Sequence, residues 1–310
     1  MALDIVAVRM YVVVRHFTNH PKTMYQPSLF PEQDLRLKPH RNLWKLRGKG
    51  ILLGTSGYSY DDWVGPFYQR GTRKPQMLEY YQQFFPAVEL NYTYYTMPRP
   101  STLFQIRNKA PHMLFSVKAH RSITHDRKAT REDWQHFADA LSVLADTDQL
   151  TSVLFQFPSS FHCTHDNFEY LDEVCEYFNQ LKVVLELRHA SWLQETTYSY
   201  ATRRRITIAS VDAPALPGLT HSIIRSSPRI SYYRLHGRNA RNWFTGDNST
   251  RYDYAYTPDE IRGLARHIVE LATTSEQVCV FANNHPRGQA IETVLALADA
   301  LDHIPALAAL

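Results

Sequence analysis

The stretch Leu185-Glu186-Leu187-Arg188-His189 decides how this chain is expected to fold. Successive side chains of a β-strand point to opposite faces of the sheet, so the two leucines share one face while Glu186 and Arg188 share the other. Charged side chains are rarely buried unless they are paired or functional. The alternation therefore predicts a buried strand whose apolar face meets helices and whose polar face meets a pocket.

Several other apolar runs carry polar side chains at alternate positions near their ends. Tyr233-Arg234-Leu235-His236 repeats the pattern closely. The polar side chains in or directly after the remaining runs are Glu89, Asn91, Ser116, Lys118, Gln156, Asp212, Asn283, Asn284 and His285. In (β/α)8 barrels the interior is filled with aliphatic side chains and the active site lies at the carboxyl ends of the strands. These positions predict a pocket at one end of a barrel, with buried ion pairs that only stabilise the barrel as the alternative.

Strand-like and helix-like segments alternate regularly from residue 51 onwards. The predicted strands are 51–55, 87–91, 113–118, 151–157, 182–188, 205–211, 230–236 and 277–282. The predicted helices are 76–85, 131–146, 166–180, 190–203, 258–274 and 289–301, whereas 98–110 and 213–229 are weakly helical at best. This order predicts an α/β protein with a single (β/α)8 TIM-like barrel over residues 50–310. An open doubly wound sheet would share the rhythm, but Gly54-Thr55-Ser56-Gly57 lacks the spacing of a dinucleotide-binding fingerprint.

Residues 1–49 lack this alternation and are predicted to form an extended or partly disordered N-terminal segment. One hypothesis is that translation begins at Met10 or Met24. The stretch Gln26-Pro27-Ser28-Leu29-Phe30 is similar to short peptides that dock on bacterial sliding clamps. A sliding clamp is therefore a hypothetical partner, with a simple hydrophobic contact onto the barrel as the more ordinary interpretation.

The composition is that of a globular protein with a mild excess of positive charge. The 310 residues are 44% hydrophobic and 21% charged, and the formal net charge of +4 permits an anionic partner without requiring one. Three widely spaced cysteines, Cys163, Cys175 and Cys279, argue against a disulfide framework and predict a cytoplasmic protein. No apolar run approaches the length of about 18 residues that a membrane span needs, so no membrane association is expected.

The predicted pocket has the composition of an anion-binding site. Its expected substrate-binding residues are Lys118, Arg188, Arg234, Arg238, Asn91, Gln156, Asn283, Tyr58 and Trp192. Arginine suits the bidentate recognition of phosphate or carboxylate groups, and the aromatic rings could stack on a base or a sugar. The ligand is thus expected to be an anionic small molecule or a nucleic acid.

Three residues of the predicted pocket are candidates for catalysis. Glu186 and Glu89 could act as general acid or base, and His236 could transfer protons near neutral pH. A divalent metal is the alternative, with candidate ligands Glu186, His189, Asp212, His236 and His285. Strand parity places His189 opposite Glu186 and no short-spaced metal motif occurs, so a metal is not favoured and the cofactor is left unknown.

A series of motifs carries a resemblance to a known family. The motifs are Gly54–Tyr60 with Trp63, Val88–Asn91, Phe115–Lys118, Phe155–Pro158, Glu186–His189 with Trp192, Arg234–Arg238, Tyr252–Tyr254 and Asn283–His285. In this order they resemble the YecE-like family, catalogued as domain of unknown function 72, over roughly residues 51–300. The resemblance implies a TIM barrel and no established activity.

The leading functional hypothesis is an enzyme that acts on a phosphate-bearing or carboxylate substrate at the mouth of the barrel. Phosphoester hydrolysis on a nucleotide or nucleic acid is its most specific form, and it rests on analogy of fold alone. A metal-free isomerase or lyase that uses Glu89 or Glu186 is an alternative of comparable weight to phosphoester hydrolysis. The contrasting class is a non-catalytic binding or partner module linked to DNA maintenance.

Overall fold

The computed structural model describes residues 41–221 and 224–308. Nine strands of this part of the chain form one parallel sheet with the order β6-β5-β4-β3-β2-β1-β9-β8-β7. The strands are β1 Ile51–Ser56, β2 Ala87–Leu90, β3 Leu114–Lys118, β4 Leu150–Phe157, β5 Val183–Leu187, β6 Thr207–Ile208, β7 Ser210–Asp212, β8 Ser231–Leu235 and β9 Val278–Ala282.

Strands β6 and β7 together correspond to the single strand predicted at 205–211. Only Ala209 separates them, and its amide donates to the carbonyl oxygen of Leu185 at 2.8 Å. The first piece pairs with β5 and the second pairs with β8, so this strand position changes partner at one residue. Counted once, it leaves eight parallel strand positions in a nearly closed barrel, which confirms the predicted TIM-like fold.

Helices cover the outside of the barrel. The six predicted helices are present, but the one predicted at 190–203 begins only at Glu195, after a 3-10 helix over Ala190–Trp192. The α-helices of the described residues are α1 Arg41–Gly48, α2 Lys74–Tyr81, α3 Tyr92–Tyr95, α4 Pro100–Lys109, α5 Arg121–Thr124, α6 Arg131–Ala145, α7 His165–Tyr177, α8 Glu195–Arg204, α9 Asn248–Arg251, α10 Pro258–Ala272, α11 Gln289–Asp302 and α12 Pro305–Ala308. Short 3-10 helices occupy Asp61–Trp63, Ala190–Trp192 and Pro286–Gly288. In the part of the chain that the structure describes, no helix is long and apolar enough to cross a membrane.

Two segments are more helical than the sequence predicts. The segment 98–110 contains α4, which begins at Pro100, where the missing N–H of proline is harmless, and buries Leu103 and Ile106. Within the segment 1–49, α1 buries Leu43 and Leu46 and contacts β1 and α11. Residues 1–40, which include Met10, Met24 and the peptide Gln26–Phe30, lie outside the described residues.

The interior of the barrel changes from apolar to polar along its length. Outward-facing strand residues, such as Val88 and Leu185, join the helices in one large apolar cluster. Inward-facing residues near the amino ends of the strands form a second cluster of Leu52, Ala87, Leu154, Val184, Ala209, Ile230, Tyr232, Cys279 and Phe281. Inward-facing positions nearer the carboxyl ends are polar and include Glu89, Ser116, Gln156, Glu186 and Arg234. The polar end of the barrel is therefore where a site can form.

Candidate functional site

A cluster of ion pairs fills the barrel at the boundary between its apolar and polar halves. Arg234 of β8, only 1% exposed, donates from Nε and Nη2 to the two carboxylate oxygens of Glu89 at 2.9 and 2.7 Å. Its Nη1 donates to Oε2 of Glu186 at 2.6 Å. The hydroxyl of Tyr232 donates to Oε2 of Glu89 at 2.7 Å. One guanidinium thus joins carboxylates from β2 and β5 across the barrel.

The remaining carboxylate oxygen of Glu186 receives donors from two further residues. Arg188 donates to Oε1 from Nε at 2.8 Å, and His236 donates to it from Nε2 at 3.1 Å. The amide nitrogen of Asn283 lies 3.0 Å from Nδ1 of His236 and donates to it, which fixes the neutral tautomer with its proton on Nε2. Burial lowers the pKa of His236 to about 4, even though Glu186 opposes the shift. His236 is therefore a neutral imidazole at physiological pH.

Glu89 and Glu186 are ionised and are buried away from solvent. Burial, the largest single influence, would raise the pKa of both carboxyl groups, but the charge of Arg234 together with the neighbouring cations and hydrogen-bond donors outweighs it. As a result, the pKa of Glu89 is lowered and that of Glu186 lies well below its ordinary value. Since their oxygens are engaged by guanidinium and phenol donors, the two carboxylates are poor proton acceptors.

A cavity of about 480 Å³ lies above this cluster, at the carboxyl ends of the strands. Its polar lining residues are Asn91, Lys118, His125, Gln156, Ser159, Arg188, Arg234, Arg251, Asn283 and His285. Its aromatic lining residues are Tyr60, Tyr94, Tyr95, Trp243, Phe244 and Tyr252. Both the volume and the mixture of amides, cations and rings are typical of a small-molecule site.

Lys118, at the end of β3, is a half-buried cation without a carboxylate partner. Its Nζ donates to Oε1 of Gln156 at 2.9 Å and lies 4.4 Å from the centroid of the Tyr94 ring. Among the described residues, Lys118 takes part in no ion pair, because the nearby carboxylates are bound to arginines. Burial, followed by the charges of Arg234 and Arg188, lowers the pKa of Lys118 to about 7. The amine therefore exchanges its proton near neutral pH.

Arg188 extends from the ion-pair cluster towards the cavity wall. Its Nη1 and Nη2 lie 3.5 and 3.4 Å from the hydroxyl oxygen of Tyr252, and its guanidinium carbon lies 5.7 Å from the centroid of the Trp243 ring. Burial opposes ionisation of the Tyr252 phenol, but the charge and hydrogen bond of Arg188, together with the charges of Arg234 and Arg251, outweigh it and lower the pKa. Tyr252 and Trp243 thus hold this guanidinium against one side of the cavity.

Two further histidines of the cavity are neutral. Burial, followed by the charges of Lys118 and Arg188, lowers the pKa of His125 to about 3. Burial also lowers the pKa of His285, whose ring stacks on Tyr60 with the centroids 4.5 Å apart. The positive charge of the cavity wall is consequently carried by lysine and arginine side chains.

The structure brings most of the sequence-predicted site residues together. Six predicted substrate-binding residues line the cavity, namely Lys118, Arg188, Arg234, Asn91, Gln156 and Asn283. The three residues predicted to be catalytic, Glu186, His236 and Glu89, form the ion-pair layer with Arg234 instead of lining the cavity. The predicted acid–base groups therefore hold the arginines in place, and Lys118 is the titrating group that faces the cavity.

Three predicted substrate-binding residues are not brought to the cavity. Arg238 donates to Asp212 at 2.7 Å and to Glu260 at 2.9 Å. Trp192 is buried and donates from Nε1 to the carbonyl oxygen of Phe161 at 2.7 Å. Tyr58 packs against the outer apolar cluster. Each of the three lies beyond the end of its strand, where strand parity no longer determines the direction of a side chain.

Of the candidate metal ligands, Glu186 and His236 are in contact, but His189 and Asp212 are engaged elsewhere. His189 stacks on His162 with the ring centroids 3.8 Å apart, and Asp212 is bound to Arg238. In the described ranges, no group of three or more His, Cys, Asp or Glu side chains is arranged to hold a metal ion.

The lining residues that the sequence reasoning missed include His125, Phe244, Arg251 and Tyr252. All four follow strands through loops or short helices, so the alternation of strand residues could not reveal them. Tyr252 belongs to a motif that carries the family resemblance, which was the one signal available for it.

The fold and the site together define a TIM barrel with an ionic interior and a cationic cavity at the carboxyl ends of its strands. The family described as "Protein of unknown function DUF72" matches residues 52–308, and the chain belongs to this family. The resemblance seen in the sequence motifs is thereby confirmed, and the family description assigns no activity.

Individual relatives agree with this assignment. The chain is 27% identical over 270 residues to the UPF0759 protein YunF of Bacillus subtilis strain 168, a match that covers 81% of this chain and 95% of that protein. A crystal structure of a DUF72 family protein from Thermotoga maritima MSB8 is 36% identical with a TM-score of 0.76, and the match covers 82% of this chain and 99% of that one. A crystal structure of a DUF72 family protein from Enterococcus faecalis V583 is 25% identical with a TM-score of 0.73, and the match covers 82% of this chain and 96% of that one.

Proposed function

We propose that the protein is an enzyme that binds a small anionic substrate, carrying a phosphate or carboxylate group, in the cavity at the carboxyl ends of the strands. The observation that supports this proposal is the charge balance of the site. The carboxylates of Glu89 and Glu186 are matched by the guanidiniums of Arg234 and Arg188. This leaves the half-buried ammonium of Lys118 without a counter-charge, and a charge shielded from water is stable only when it is paired or can lose its proton.

Arg188 and Lys118 supply complementary recognition. The guanidinium can donate to two oxygens of a phosphate or carboxylate group, whereas the ammonium acts as a compact charge. The carboxamides of Asn91, Gln156 and Asn283 line the same cavity and can orient the rest of the substrate. Because its pKa of about 7 suits proton transfer at neutral pH, Lys118 replaces the glutamates as the general acid or base of this proposal.

Phosphoester hydrolysis is a second candidate, favoured by the same cations. Lysine and arginine side chains that bind a phosphoryl group also stabilise the charge that develops on its oxygens during transfer. In that reaction Lys118 and Arg188 would contact the phosphoryl oxygens. A binding module without catalysis is the contrasting class, and the same experiments separate it from an enzyme.

Calorimetric titration of the full chain at low salt tests the proposal, with 3-phosphoglycerate as a probe that carries both anionic groups. We expect binding to the unmodified chain and an affinity lower by about 10- to 100-fold in Arg188→Met, since charge-assisted hydrogen bonds are lost. Arg262→Met, which removes an exposed arginine of α10, is the matched control and should bind as the unmodified chain does. The absence of binding by the unmodified chain, or equal loss in both variants, would overturn the proposal.

Turnover is tested separately with p-nitrophenyl phosphate and bis(p-nitrophenyl) phosphate. Release of p-nitrophenol that is lost in Lys118→Met supports phosphoester hydrolysis. Binding of 3-phosphoglycerate without any turnover of these esters removes the second candidate and leaves the first.

A further inference from the structure

Lys118 has the surroundings of an amine that reacts with carbonyl compounds. We infer that Lys118 forms an imine with the carbonyl group of an anionic substrate, either a 2-oxo acid or a phosphorylated aldehyde or ketone. This inference rests on the proposed function, because the anionic group must first be held by the arginines of the cavity. It goes further in naming a covalent intermediate and the functional group that the substrate must carry.

The position of the amine supports this reaction. Nζ lies on the wall of a cavity of about 480 Å³, at the carboxyl end of β3, and donates a hydrogen bond to the neutral oxygen of Gln156. An ammonium that is paired with a carboxylate keeps its proton and cannot attack a carbonyl carbon. Two carboxylates act on Lys118 through their charge, those of Glu89 and Glu186. Both accept hydrogen bonds from Arg234. The lysine is therefore left with a polar acceptor that orients one N–H and does not neutralise a charge.

The charged neighbours keep a useful fraction of the amine unprotonated. Burial and the guanidiniums of Arg234 and Arg188 disfavour the ammonium form, while Glu186 and Glu89 favour it to a smaller extent. A lysine whose proton is lost near neutral pH is the form that adds to carbonyl groups. The same two guanidiniums that disfavour the ammonium carry the positive charge that attracts an anionic substrate.

The step balances without a cofactor. The lone pair of Nζ adds to the carbonyl carbon and forms a C–N bond, and the carbonyl oxygen takes up one proton from the nitrogen. That oxygen then receives a second proton from the medium and leaves as water, which breaks the C–O bond and yields a protonated imine. The positive charge of the imine can draw electrons from the neighbouring carbon, as in other lysine-dependent enzymes.

Reductive trapping with the full chain tests the inference. The protein is incubated near pH 7 with pyruvate, or in a parallel arm with dihydroxyacetone phosphate, and with sodium cyanoborohydride, which reduces imines to stable amines. Peptide mapping by mass spectrometry then locates the adduct. We expect one adduct per chain, on Lys118, in at least one arm, and the arm that gives it distinguishes a 2-oxo acid from a phosphorylated carbonyl compound.

Two variants give the controls. Lys118→Arg retains the positive charge and should still bind the probe in calorimetric titration while losing the adduct. Lys128→Arg removes an exposed lysine and should leave the adduct unchanged.

The outcomes separate the two proposals. Binding of both probes without an adduct on Lys118, or adducts spread over exposed lysines and unchanged in Lys118→Arg, would overturn the imine alone. Failure of the unmodified chain to bind pyruvate, dihydroxyacetone phosphate or 3-phosphoglycerate would overturn the proposed function, and the imine with it.

Discussion

Arg234 joins two carboxylates that approach it from opposite walls of the barrel, so the three charges depend on one another. Removing one partner of a buried ion pair leaves an uncompensated charge in a medium that solvates it poorly. In Arg234→Met, Glu89 and Glu186 would face each other without the guanidinium that satisfies them. We expect the free energy of unfolding to fall by about 3–5 kcal/mol, measured by urea denaturation.

The exposed Arg262 provides the comparison for this variant. Its ion pair with Asp259 lies on the surface, where such pairs contribute about 0–1 kcal/mol, so Arg262→Met should be nearly neutral. A loss below about 1 kcal/mol in Arg234→Met would contradict the view that this cluster stabilises the barrel.

Lys118 should differ from the other lysines in its reaction with amine reagents. Its pKa of about 7 arises from burial and from Arg234 and Arg188, and the reactive form is the free amine. At limiting acetic anhydride, we expect acetylation of Lys118 to rise with pH to a midpoint of about 7, measured by isotope-coded peptide mapping. The exposed Lys128 in the same digest is the internal control. A midpoint of Lys118 equal to that of Lys128 would contradict this electrostatic description.

The sequence could predict which residues face the barrel interior, but not which of them meet. Strand parity assigned Glu186, Arg188 and Arg234 to one face, and the structure places all three there. Parity carries no information on depth, so it could not separate Glu89, which lies under Arg234, from Lys118, which faces the cavity. That distinction depends on hydrogen bonds between strands that are far apart in the chain.

At the scale of elements, β1 approaches β2 so closely at Gly54 that no residue with a side chain fits at this position. A methyl group added there would collide with the carbonyl oxygen of Ala87 and would press on the ring of Phe281. We expect Gly54→Ala to lower the free energy of unfolding by about 3 kcal/mol, because either the strand spacing or the inner apolar cluster must yield. Urea denaturation of the purified variant measures the loss.

Gly263 in α10 is the matched control, since an added methyl group would meet no atom within 4 Å. Alanine is a better helix former than glycine, so Gly263→Ala should raise the free energy of unfolding by about 0.5–1 kcal/mol. A neutral Gly54→Ala would show that β1 can move away from β2 at little cost.

The elements that the sequence predicted well are those with strong periodic patterns. The strands and long helices such as α6 and α10 keep one apolar face, and α10 is preceded by Thr257, the N-cap of a capping box that is visible in the sequence. Helix α4 was missed because it buries only Leu103 and Ile106 among ten residues. The break at Ala209 was missed because a change of pairing partner alters hydrogen bonds and not the alternation of residues.

The whole molecule combines an apolar inner cluster at one end of the barrel with an ionic layer at the other, and this arrangement makes its stability sensitive to acid. His236 has a pKa of about 4 in the folded chain, below the ordinary value of about 6.5. Between these two values the unfolded chain binds a proton that the folded chain does not, so stability falls as the pH is lowered through this range. His125, with a pKa of about 3, acts in the same direction.

The glutamates extend the effect to lower pH. The folded-state pKa values of Glu89 and Glu186 lie below the ordinary carboxyl value of about 4.3, so the stability they contribute is present above that value. This stability is lost as the pH falls through their folded-state pKa values, because the two carboxylates paired with Arg234 then take up protons. Acid unfolding should therefore begin below about pH 6.5 and steepen below about pH 4.3.

Urea midpoints measured at intervals from pH 7 to pH 4 test this account, with His236→Gln as the informative variant. Glutamine does not titrate, so the variant should lose less stability than the unmodified chain over this range, by on the order of 2 kcal/mol. His136→Gln changes an exposed histidine of α6 and should follow the pH dependence of the unmodified chain. If His236→Gln also followed it, the histidine would already be protonated in the folded barrel, and the ionic layer would carry one more positive charge than the hydrogen bonds of His236 indicate.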